Sequence, residues 1–266
     1  MEIEGRRALV TGATGGIGKA IARALHAQGA TVVVTGRREA ILKELVAQLG
    51  GERAEALPAD LSDGAAAREL VGRAGQVDIL VANAALPASG RLDDYTAEQI
   101  DRAIDVNLRA PIALAHELAP AMAKRGEGHM VFISSMAGKV SSGGASLYAA
   151  TKFGLRGFAT ALHDELLDEG VGVTTVFPGF ISDAGMFADS GVKLRAGVGT
   201  RSPDQVARAV VQGIESNRSE IDVAPLTLRA GAWAAGVSQK AVQRVQRIAG
   251  GQEMSERLAD GQRDKR

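Results

Sequence analysis

Three residues in the middle of the chain have the types and the spacing of an acid/base site. Ser135 ends an apolar stretch, and Tyr148 and Lys152 stand four residues apart in a segment with helical periodicity. Residues four apart share one face of a helix, so we expect the Lys152 ammonium to lie near the Tyr148 phenol. A neighbouring cation favours the phenolate and lowers the tyrosine pKa from about 10. Tyr148 would then exchange a proton near neutral pH, while the Ser135 hydroxyl donates a hydrogen bond to a substrate carbonyl.

A glycine-rich segment near the start of the chain has the composition of a phosphate-binding turn. Residues 11–18 lie between a strand-like apolar stretch and a segment with apolar residues at helical spacing. Glycines at such a turn let the backbone approach a phosphate, and the helix N-terminus offers free N–H groups and a partial positive charge. The spacing of Gly12, Gly16 and Gly18 differs from the common Gly-x-Gly-x-x-Gly fingerprint.

Each of these motifs alone has an ordinary structural interpretation. A glycine-rich turn is also typical of a tight turn without a ligand, and a tyrosine and a lysine four apart usually form a solvated pair on a helix. The two motifs together, with a serine at the end of a strand, favour an enzyme that uses a dinucleotide.

Strand-like and helix-like segments alternate along the whole chain. The alternation predicts an α/β fold with a doubly wound (Rossmann) parallel sheet of seven strands and helices on both faces. Strands are expected near 7–11, 31–35, 54–58, 78–82, 129–134, 172–177 and 220–223, and helices near 16–28, 38–49, 63–74, 96–124, 146–169 and 203–215. Ligands of such sheets bind at the carboxyl ends of the strands, where the candidate residues fall. We expect a catalytic domain over residues 1–225 and a C-terminal helical extension over 226–266.

Composition argues against several other classes of protein. The chain has 266 residues, 45% of them hydrophobic, which suits one α/β domain with a substantial core. The formal net charge of zero gives no case for a nucleic-acid partner. The sequence has no cysteine, and its four histidines show no ligand spacing, so no metal is expected. The first residues lack the features of a signal peptide, and no segment reaches the ~20 apolar residues of a spanning helix, which favours a cytoplasmic protein.

The motifs occur in the order and spacing of a known family. The chain resembles the short-chain dehydrogenase/reductase family over most of residues 5–225. The matching positions are residues 11–18, Asp60, Asn83-Ala84-Ala85, Asn107, Ser135, Tyr148-x-x-x-Lys152 and Pro178-Gly179.

The resemblance implies a role for each catalytic candidate. Tyr148 would be the acid/base that passes a proton to or from the substrate oxygen. Lys152 would lower the pKa of that tyrosine and bind the nicotinamide ribose hydroxyls. Ser135 would orient and polarise the carbonyl, and Ser134 fits the family spacing less well. Asn107 would hold a water that relays protons to Lys152.

The resemblance also implies a set of cofactor-binding residues. Asp60 would contact the adenine ring, Asn83 would close the cleft, and the turn at Pro178 and Gly179 would flank the nicotinamide. The full set is Gly12, Thr14, Gly16, Ile17, Gly18, Arg37, Arg38, Asp60, Leu61, Asn83, Tyr148, Lys152, Pro178 and Gly179.

Two positions depart from the family pattern. Ala85 stands where glycine is usual, which is tolerable if its φ is negative. Ser182 and Asp183 stand near the place of a threonine that hydrogen-bonds the nicotinamide amide, so this contact is left open.

The end of the second strand indicates which nicotinamide cofactor binds. An acidic residue there binds the free ribose 2′-hydroxyl of NAD. This chain has Gly36 at that position, followed by Arg37 and Arg38. A guanidinium binds a 2′-phosphate through forked, charge-assisted hydrogen bonds. We therefore expect NADP(H) rather than NAD(H), with Arg37 the stronger candidate and Arg38 alternatively an exposed residue at a helix start.

Residues 180–201 form a long stretch without periodicity, rich in glycine and apolar residues. The resemblance implies a lid over the substrate, and its apolar residues favour a mainly apolar substrate, although long loops are also ordinary surface features. Lys193 and Arg195 either meet an anionic group or are solvated. Acyl thioesters, steroids, retinoids and small ketones remain open as substrates.

Beyond residue 225, a narrow apolar stripe runs from Val237 to Ile248 opposite basic residues. This pattern predicts an amphipathic helix that packs on the domain or on a partner subunit, with contact to an anionic membrane surface as the alternative. The resemblance further implies a homodimer or homotetramer formed through the long helices near 96–124 and 146–169.

These observations predict an NADP(H)-dependent oxidoreductase that interconverts a carbonyl and a secondary alcohol. The alternatives are an NAD-dependent alcohol dehydrogenase of the same fold and a protein that senses NADP without catalysis. Dehydration or epimerisation on the same fold fits Ser135 and Tyr148 less well.

Overall fold

All seven strands expected from the sequence are present, and they form one parallel sheet. The computed structural model describes residues 1–183, 187–188, 199–238, 240 and 257–261. The strands are β1 (Arg7–Val10), β2 (Thr31–Val34), β3 (Ala54–Ala56), β4 (Ile79–Ala82), β5 (Gly128–Ile133), β6 (Val171–Pro178) and β7 (Glu220–Val223). Their order in the sheet is β3-β2-β1-β4-β5-β6-β7. The strand order reverses between β1 and β4, which places the crevice for a ligand at the carboxyl ends of these two strands.

Helices cover both faces of the sheet. They are α1 (Gly16–Ala27), α2 (Glu39–Gln48), α3 (Ala66–Ala74), α4 (Ala97–Ile104), α5 (Ala110–Arg125), α6 (Ser146–Leu166), α7 (Pro203–Ser216) and α8 (Leu226–Val237). One core cluster joins the sheet to α1, α2 and α7, and the other joins it to α3, α5 and α6. Every residue of β4, β5 and β6 is buried, because helices pack on both faces of these central strands.

Helix α7 begins where the sequence predicts. The Ser202 hydroxyl accepts a hydrogen bond from the Gln205 N–H at 3.3 Å, and the Gln205 side chain accepts one from the Ser202 N–H at 2.9 Å. Pro203 occupies the first helical position. This reciprocal arrangement satisfies backbone donors that a helix start would otherwise leave open.

The single helix predicted over 96–124 is divided in the structure. Helices α4 and α5 are separated by a π-helical turn at Asp105–Arg109. Asn107 lies in this turn with 1% exposure, and its side-chain amide bonds both backbone groups of Leu86. The extra residue in the turn brings this side chain onto the segment that follows β4, a feature that apolar periodicity does not reveal.

The C-terminal segment is described only in part. Helix α8 lies within the stretch 226–266 where a helical extension is expected, and the expected amphipathic stripe lies outside the described residues except for Val237. Leu226, Trp233 and Val237 are exposed on α8, at 75%, 78% and 76%. Within the described ranges, no helix combines the length and the apolarity needed to cross a membrane.

One buried histidine couples folding to pH. His129 is 1% exposed at the start of β5, and its Nε2 lies 2.9 Å from the Thr174 hydroxyl. Burial of the ring, followed by the positive N-terminus and His163, lowers the pKa of His129 to about 3. The unfolded chain binds a proton at this residue near pH 6.5 and the folded chain does not, so stability falls as the pH drops from about 6.5 towards 3.

We therefore predict that His129→Gln weakens the pH dependence of the free energy of unfolding. Between pH 7 and pH 5, the wild-type protein should lose about 2 kcal/mol more than the variant, the proton-linkage contribution of one such histidine. Urea unfolding at both pH values measures this difference. Replacement of His116, an exposed histidine on α5, by glutamine is the control. Equal losses in the wild type and in His129→Gln would contradict the prediction.

Candidate active site

Two adjacent serines at the end of β5 have different surroundings. Ser134 is 4% exposed, and its hydroxyl donates to the Lys152 carbonyl at 3.1 Å. Ser135 has an extended backbone and begins a 3-10 turn at Met136–Gly138, where its hydroxyl oxygen accepts a hydrogen bond from the Ala137 N–H at 3.1 Å. Ser135 is also near enough to the Tyr148 side chain to lower its pKa. Ser134 is thus engaged in joining strand to helix, and Ser135 is the serine that adjoins the tyrosine.

Helix α6 brings Tyr148 and Lys152 to the same place. Tyr148 lies in the first turn of the helix, where its N–H donates to the Ala88 carbonyl at 3.2 Å. Lys152 is 2% exposed, and its Nζ donates to the Ile133 carbonyl at 3.0 Å. The distance from the Lys152 Nζ to the centroid of the Tyr148 ring is 5.7 Å. The four-residue spacing therefore places both side chains on one helix face, beside the end of β5.

The pKa of Tyr148 shifts in the direction opposite to the sequence-based expectation. Burial of the phenol raises this pKa, and the hydrogen bond from Ser135 opposes the rise only in part. Burial also lowers the pKa of Lys152 to about 8. Desolvation disfavours the charged form of each group, which raises the pKa of the phenol and lowers that of the ammonium. A phenol with a raised pKa retains its proton, which is the form able to protonate a carbonyl oxygen.

Asn107 is positioned by the backbone of a neighbouring loop. Its Oδ1 accepts from the Leu86 N–H at 2.6 Å, and its Nδ2 donates to the Leu86 carbonyl at 2.9 Å. These bonds brace the segment after β4, which includes Ala85. The φ of Ala85 is not positive, so alanine fits where the family commonly has glycine. Both functional groups of the amide are thus engaged in the protein, and the expected water relay remains a prediction.

The glycine-rich turn after β1 packs closely on the end of β4. The Thr11 hydroxyl accepts from the Asn83 N–H and the Ala84 N–H, both at 2.9 Å, and the Asn83 amide donates to the Thr11 carbonyl at 2.9 Å. A Cβ on Gly12 would lie 2.7 Å from the Ala84 Cα, and one on Gly18 would lie 2.4 Å from the Gly12 carbonyl oxygen. These glycines are needed for the close approach of chain segments. Thr11 opens the motif but is not among the cofactor-binding residues expected from the sequence.

The start of α1 has the donors that a dinucleotide diphosphate requires. Gly16, Ile17 and Gly18 are its first residues, and Gly15 before them has no side chain to cap the helix. The first turn contains no acidic residue. Free backbone N–H groups and the positive end of the helix dipole therefore face the crevice at the carboxyl ends of β1 and β4. The residues present fit the diphosphate of a nicotinamide dinucleotide.

The two arginines that follow β2 differ in their hydrogen bonding. Both are exposed. The Arg38 guanidinium donates to the Thr14 carbonyl at 3.0 Å, across the glycine-rich turn. A Cβ on Gly36 would lie 3.1 Å from the Thr14 Cγ2. Arg37 makes no hydrogen bond to a described residue, which leaves its guanidinium available to an anionic ligand.

Asp60 lies beside Arg37 at the same edge of the crevice. Burial raises the pKa of this carboxyl, but hydrogen bonds from Ser62 and the positive charges of Arg37 and Arg102 prevail and lower it. The neighbouring Leu61 is 8% exposed. An ionised, hydrogen-bonding carboxylate next to an apolar residue suits the edge and face of an adenine ring.

The turn after β6 is held by α8, an element that the sequence analysis did not place at the site. The Gly179 N–H donates to the Val223 carbonyl at 3.0 Å, and a Cβ on Gly179 would lie 3.3 Å from the Leu228 Cδ1. Pro178 ends β6 directly before this turn. The contact between Gly179 and Leu228 joins residues far apart in the sequence, and only the glycine indicates it there.

Within the candidate lid, the structure describes residues 180–183, 187–188 and 199–201. Ile181 and Arg201 form an isolated parallel bridge, and the ring centroids of Phe180 and Phe187 are 5.0 Å apart. Ser182, one candidate for the amide contact, donates its hydroxyl to the Asp183 carboxylate at 2.7 Å. Most of the expected lid, with Lys193 and Arg195, lies outside the described residues. Among the described residues, no group of three or more His, Cys, Asp or Glu side chains is arranged to hold a metal ion.

Comparisons with known proteins agree with this geometry. The family model for short chain dehydrogenase matches residues 6–195. The ketoacyl reductase HetN of Nostoc sp. is 35% identical over 227 residues, which cover 83% of this chain and 79% of the relative. Nodulation protein G of Rhizobium sp. is 41% identical over 191 residues, covering 69% and 76% of the two chains.

Solved structures are similar over most of the chain. A short-chain dehydrogenase from Sphingobium yanoikuyae in complex with NADPH has a TM-score of 0.78 and 28% identity, over 89% of this chain and 94% of that one. A metagenomic short-chain oxidoreductase in complex with NADP has a TM-score of 0.69 and 34% identity, over 85% and 98%. Fold, motif positions and these similarities lead to one assignment: the chain belongs to the short-chain dehydrogenase/reductase family of oxidoreductases.

Proposed function

We propose that this oxidoreductase uses NADP(H) to interconvert a carbonyl and a secondary alcohol, with Tyr148 as the acid/base. The observation that carries the proposal is the meeting of Ser135, Tyr148 and Lys152 at the end of β5. Ser135 is near enough to the Tyr148 side chain to lower its pKa, and the Lys152 Nζ lies 5.7 Å from the Tyr148 ring centroid. When bound, the nicotinamide ring supplies or accepts the hydride.

The chain's own residues bind the substrate oxygen and move the proton. In the reducing direction, the Ser135 hydroxyl donates a hydrogen bond to the carbonyl oxygen and polarises it. The Tyr148 hydroxyl, which its raised pKa keeps protonated, passes its proton to that oxygen as negative charge develops there. The nearby Lys152 ammonium stabilises the phenolate that remains, and solvent returns the proton before the next turnover.

The preference for NADP(H) rests on the residues that follow β2. Gly36 supplies no carboxylate to bind a ribose 2′-hydroxyl or to repel a 2′-phosphate. Arg37 and Arg38 are exposed at the start of α2, where a guanidinium forms charge-assisted hydrogen bonds with phosphate. Two structurally similar proteins were solved with NADPH or NADP bound, which supports the same preference here.

The substrate is proposed to be mainly apolar, such as a 3-oxoacyl compound, a steroid or retinoid, or another ketone or aldehyde. Phe180 and Phe187 contact each other within the candidate lid, and Leu228 packs beside the turn at Gly179. A relative is named a ketoacyl reductase. The division into domains at residue 225, a homodimer or homotetramer, and a cytoplasmic location remain predictions.

We predict that Tyr148→Phe removes carbonyl reduction and leaves NADPH binding intact. Loss of a positioned proton donor should lower kcat by about 10²- to 10⁴-fold. The only other tyrosine, Tyr95, donates its hydroxyl to the Ser89 carbonyl at 2.8 Å, and Tyr95→Phe is the control that should retain most of the activity. Steady-state kinetics and NADPH fluorescence titration measure both effects. Retained turnover in Tyr148→Phe would exclude this mechanism.

We predict that NADPH binds more tightly than NADH and that Arg37→Ala removes most of the difference. The loss of one charge-assisted phosphate contact should weaken NADPH binding by roughly tenfold or more and leave NADH binding unchanged. Titrations that follow nicotinamide fluorescence measure both affinities. The matched control is Arg23→Ala on α1, an arginine that bonds Gln48. Equal affinities for NADPH and NADH in the wild type would overturn the cofactor preference.

We predict that kcat/KM for NADPH declines above about pH 8, because the Lys152 ammonium loses its proton there. Protonation is complete well below this pKa and is lost as the pH rises through it, so the cation beside Tyr148 and the nicotinamide ribose disappears at high pH. In Lys152→Arg the guanidinium stays charged, and the decline should move to higher pH. A profile with the same upper limit in both proteins would contradict this role.

A further inference from the structure

A group of charged side chains surrounds one buried aromatic ring behind the candidate active site. The group, called here the β7 clamp, consists of Lys139, Arg156, Glu220, Asp222 and the ring of Phe177. The Lys139 Nζ lies 2.6 Å from Asp222 Oδ1 and 2.9 Å from Glu220 Oε2, and the Arg156 Nε lies 2.7 Å from Glu220 Oε1. The Lys139 Nζ is also 3.9 Å from the Phe177 ring centroid.

The clamp is shielded from solvent more than ordinary surface ion pairs are. The side chains of Lys139, Asp222 and Glu220 are 12%, 20% and 29% exposed, and Phe177 is fully buried. Burial raises the pKa of Glu220, but hydrogen bonds from Arg156 and Lys139 prevail and lower it. Shielded, hydrogen-bonded pairs are screened less by salt than exposed pairs, and removal of one partner leaves an unpaired charge.

Lys139, Arg156 and Phe177 each lie close in sequence to a residue of the candidate active site. Lys139 directly follows the 3-10 turn at Met136–Gly138 that begins at Ser135. Arg156 lies one helical turn after Lys152 on the same face of α6. Phe177 immediately precedes Pro178 at the end of β6. Glu220 and Asp222 lie on the edge strand β7. Their carboxylates bind Lys139, which follows the Ser135 turn, and Arg156, which lies on α6. Both cations lie beside the Phe177 ring of β6.

The position of the 3-10 turn that begins at Ser135 depends on contacts with residues outside the turn. It contains only three helical residues, and the Lys139 N–H donates to the Met136 carbonyl at 3.0 Å to close it. At Gly138 the turn presses against α6, since a Cβ there would lie 2.6 Å from Ser134 Oγ and 2.7 Å from the Lys152 carbonyl oxygen. A short 3-10 turn has poor intrinsic hydrogen-bond geometry, so contacts at both of its sides fix its position.

We propose that Lys139 is a positioning residue, held by Glu220 and Asp222, that fixes the turn bearing Ser135 against the helix bearing Tyr148. Its importance for turnover rests on the function proposed above. Lys139 acts through Ser135: its Nζ is committed to the two carboxylates and the Phe177 ring. Loss of this anchor should displace the Ser135 hydroxyl from the carbonyl oxygen and leave the cofactor crevice at β1 and β4 unchanged.

Kinetics of three lysine variants test the role in turnover. Lys139→Met should lower kcat per NADPH-binding site by about tenfold or more, the scale of a small misplacement of a catalytic group. The KM for NADPH should stay unchanged, and Lys139→Arg should restore most of kcat because a cation returns to the carboxylates. The matched control is Lys124→Met, an exposed lysine in the last turn of α5 that should behave as the wild type. Activity that falls only as much as the number of NADPH-binding sites leaves kcat per site unchanged. This result would indicate a structural role alone and overturn the proposal.

Hydrogen exchange tests the position of the turn without any substrate. The Ala137 amide donates to the Ser135 Oγ, so its protection reports directly on the placement of that hydroxyl. In Lys139→Met its exchange should accelerate by about tenfold, while exchange in Lys139→Arg and Lys124→Met stays near the wild-type rate. Unchanged protection in Lys139→Met would overturn the proposal. If the wild type reduces no carbonyl with NADPH, the proposed function fails, and the Ala137 exchange still decides whether Lys139 positions the turn.

Discussion

The contact between the end of β5 and the first half of α6 determines the geometry of the site. Two hydrogen bonds join these elements, from the Ser134 hydroxyl to the Lys152 carbonyl and from the Lys152 Nζ to the Ile133 carbonyl, at 3.1 and 3.0 Å. Gly138 permits the approach because a Cβ there would collide with both partners of the first bond. Since Ser135 follows the strand and Tyr148 lies on the helix, the relative position of their hydroxyls depends on this contact.

The same contact explains the electrostatics of the site. A lysine that bonds the end of a fully buried strand is itself buried, and burial moves the pKa values of Lys152 and Tyr148 in opposite directions. The pKa values of tyrosine and lysine nearly coincide in water, so these opposite shifts move them apart in the site. Tyr148 therefore keeps its proton in the pH range in which Lys152 loses its charge, and the phenol is the proton donor of the pair.

Local patterns in the sequence predict most of the fold, and non-local contacts account for what they miss. The periodicity of apolar residues predicts all seven strands, and the four-residue spacing of Tyr148 and Lys152 predicts that they share a helix face. Both are properties of residues close together in the sequence. They do not predict the π-helical turn around Asn107, which depends on Leu86, or the packing of α8 on Gly179. The direction of the Tyr148 pKa shift cannot be predicted from the sequence either. The spacing indicates a nearby cation, but it does not show how deeply the phenol is buried.

The packing of Gly36 on Thr14 has a consequence for how cofactor preference changes among relatives of this chain. A Cβ at position 36 would lie 3.1 Å from the Thr14 Cγ2, and Arg38 donates to the carbonyl of the same threonine. An acidic residue at position 36 therefore requires the Thr14 side chain to move by a few tenths of an ångström. The residue at position 14 is thus coupled to a change of cofactor preference at position 36, and a smaller side chain at position 14 relieves the contact.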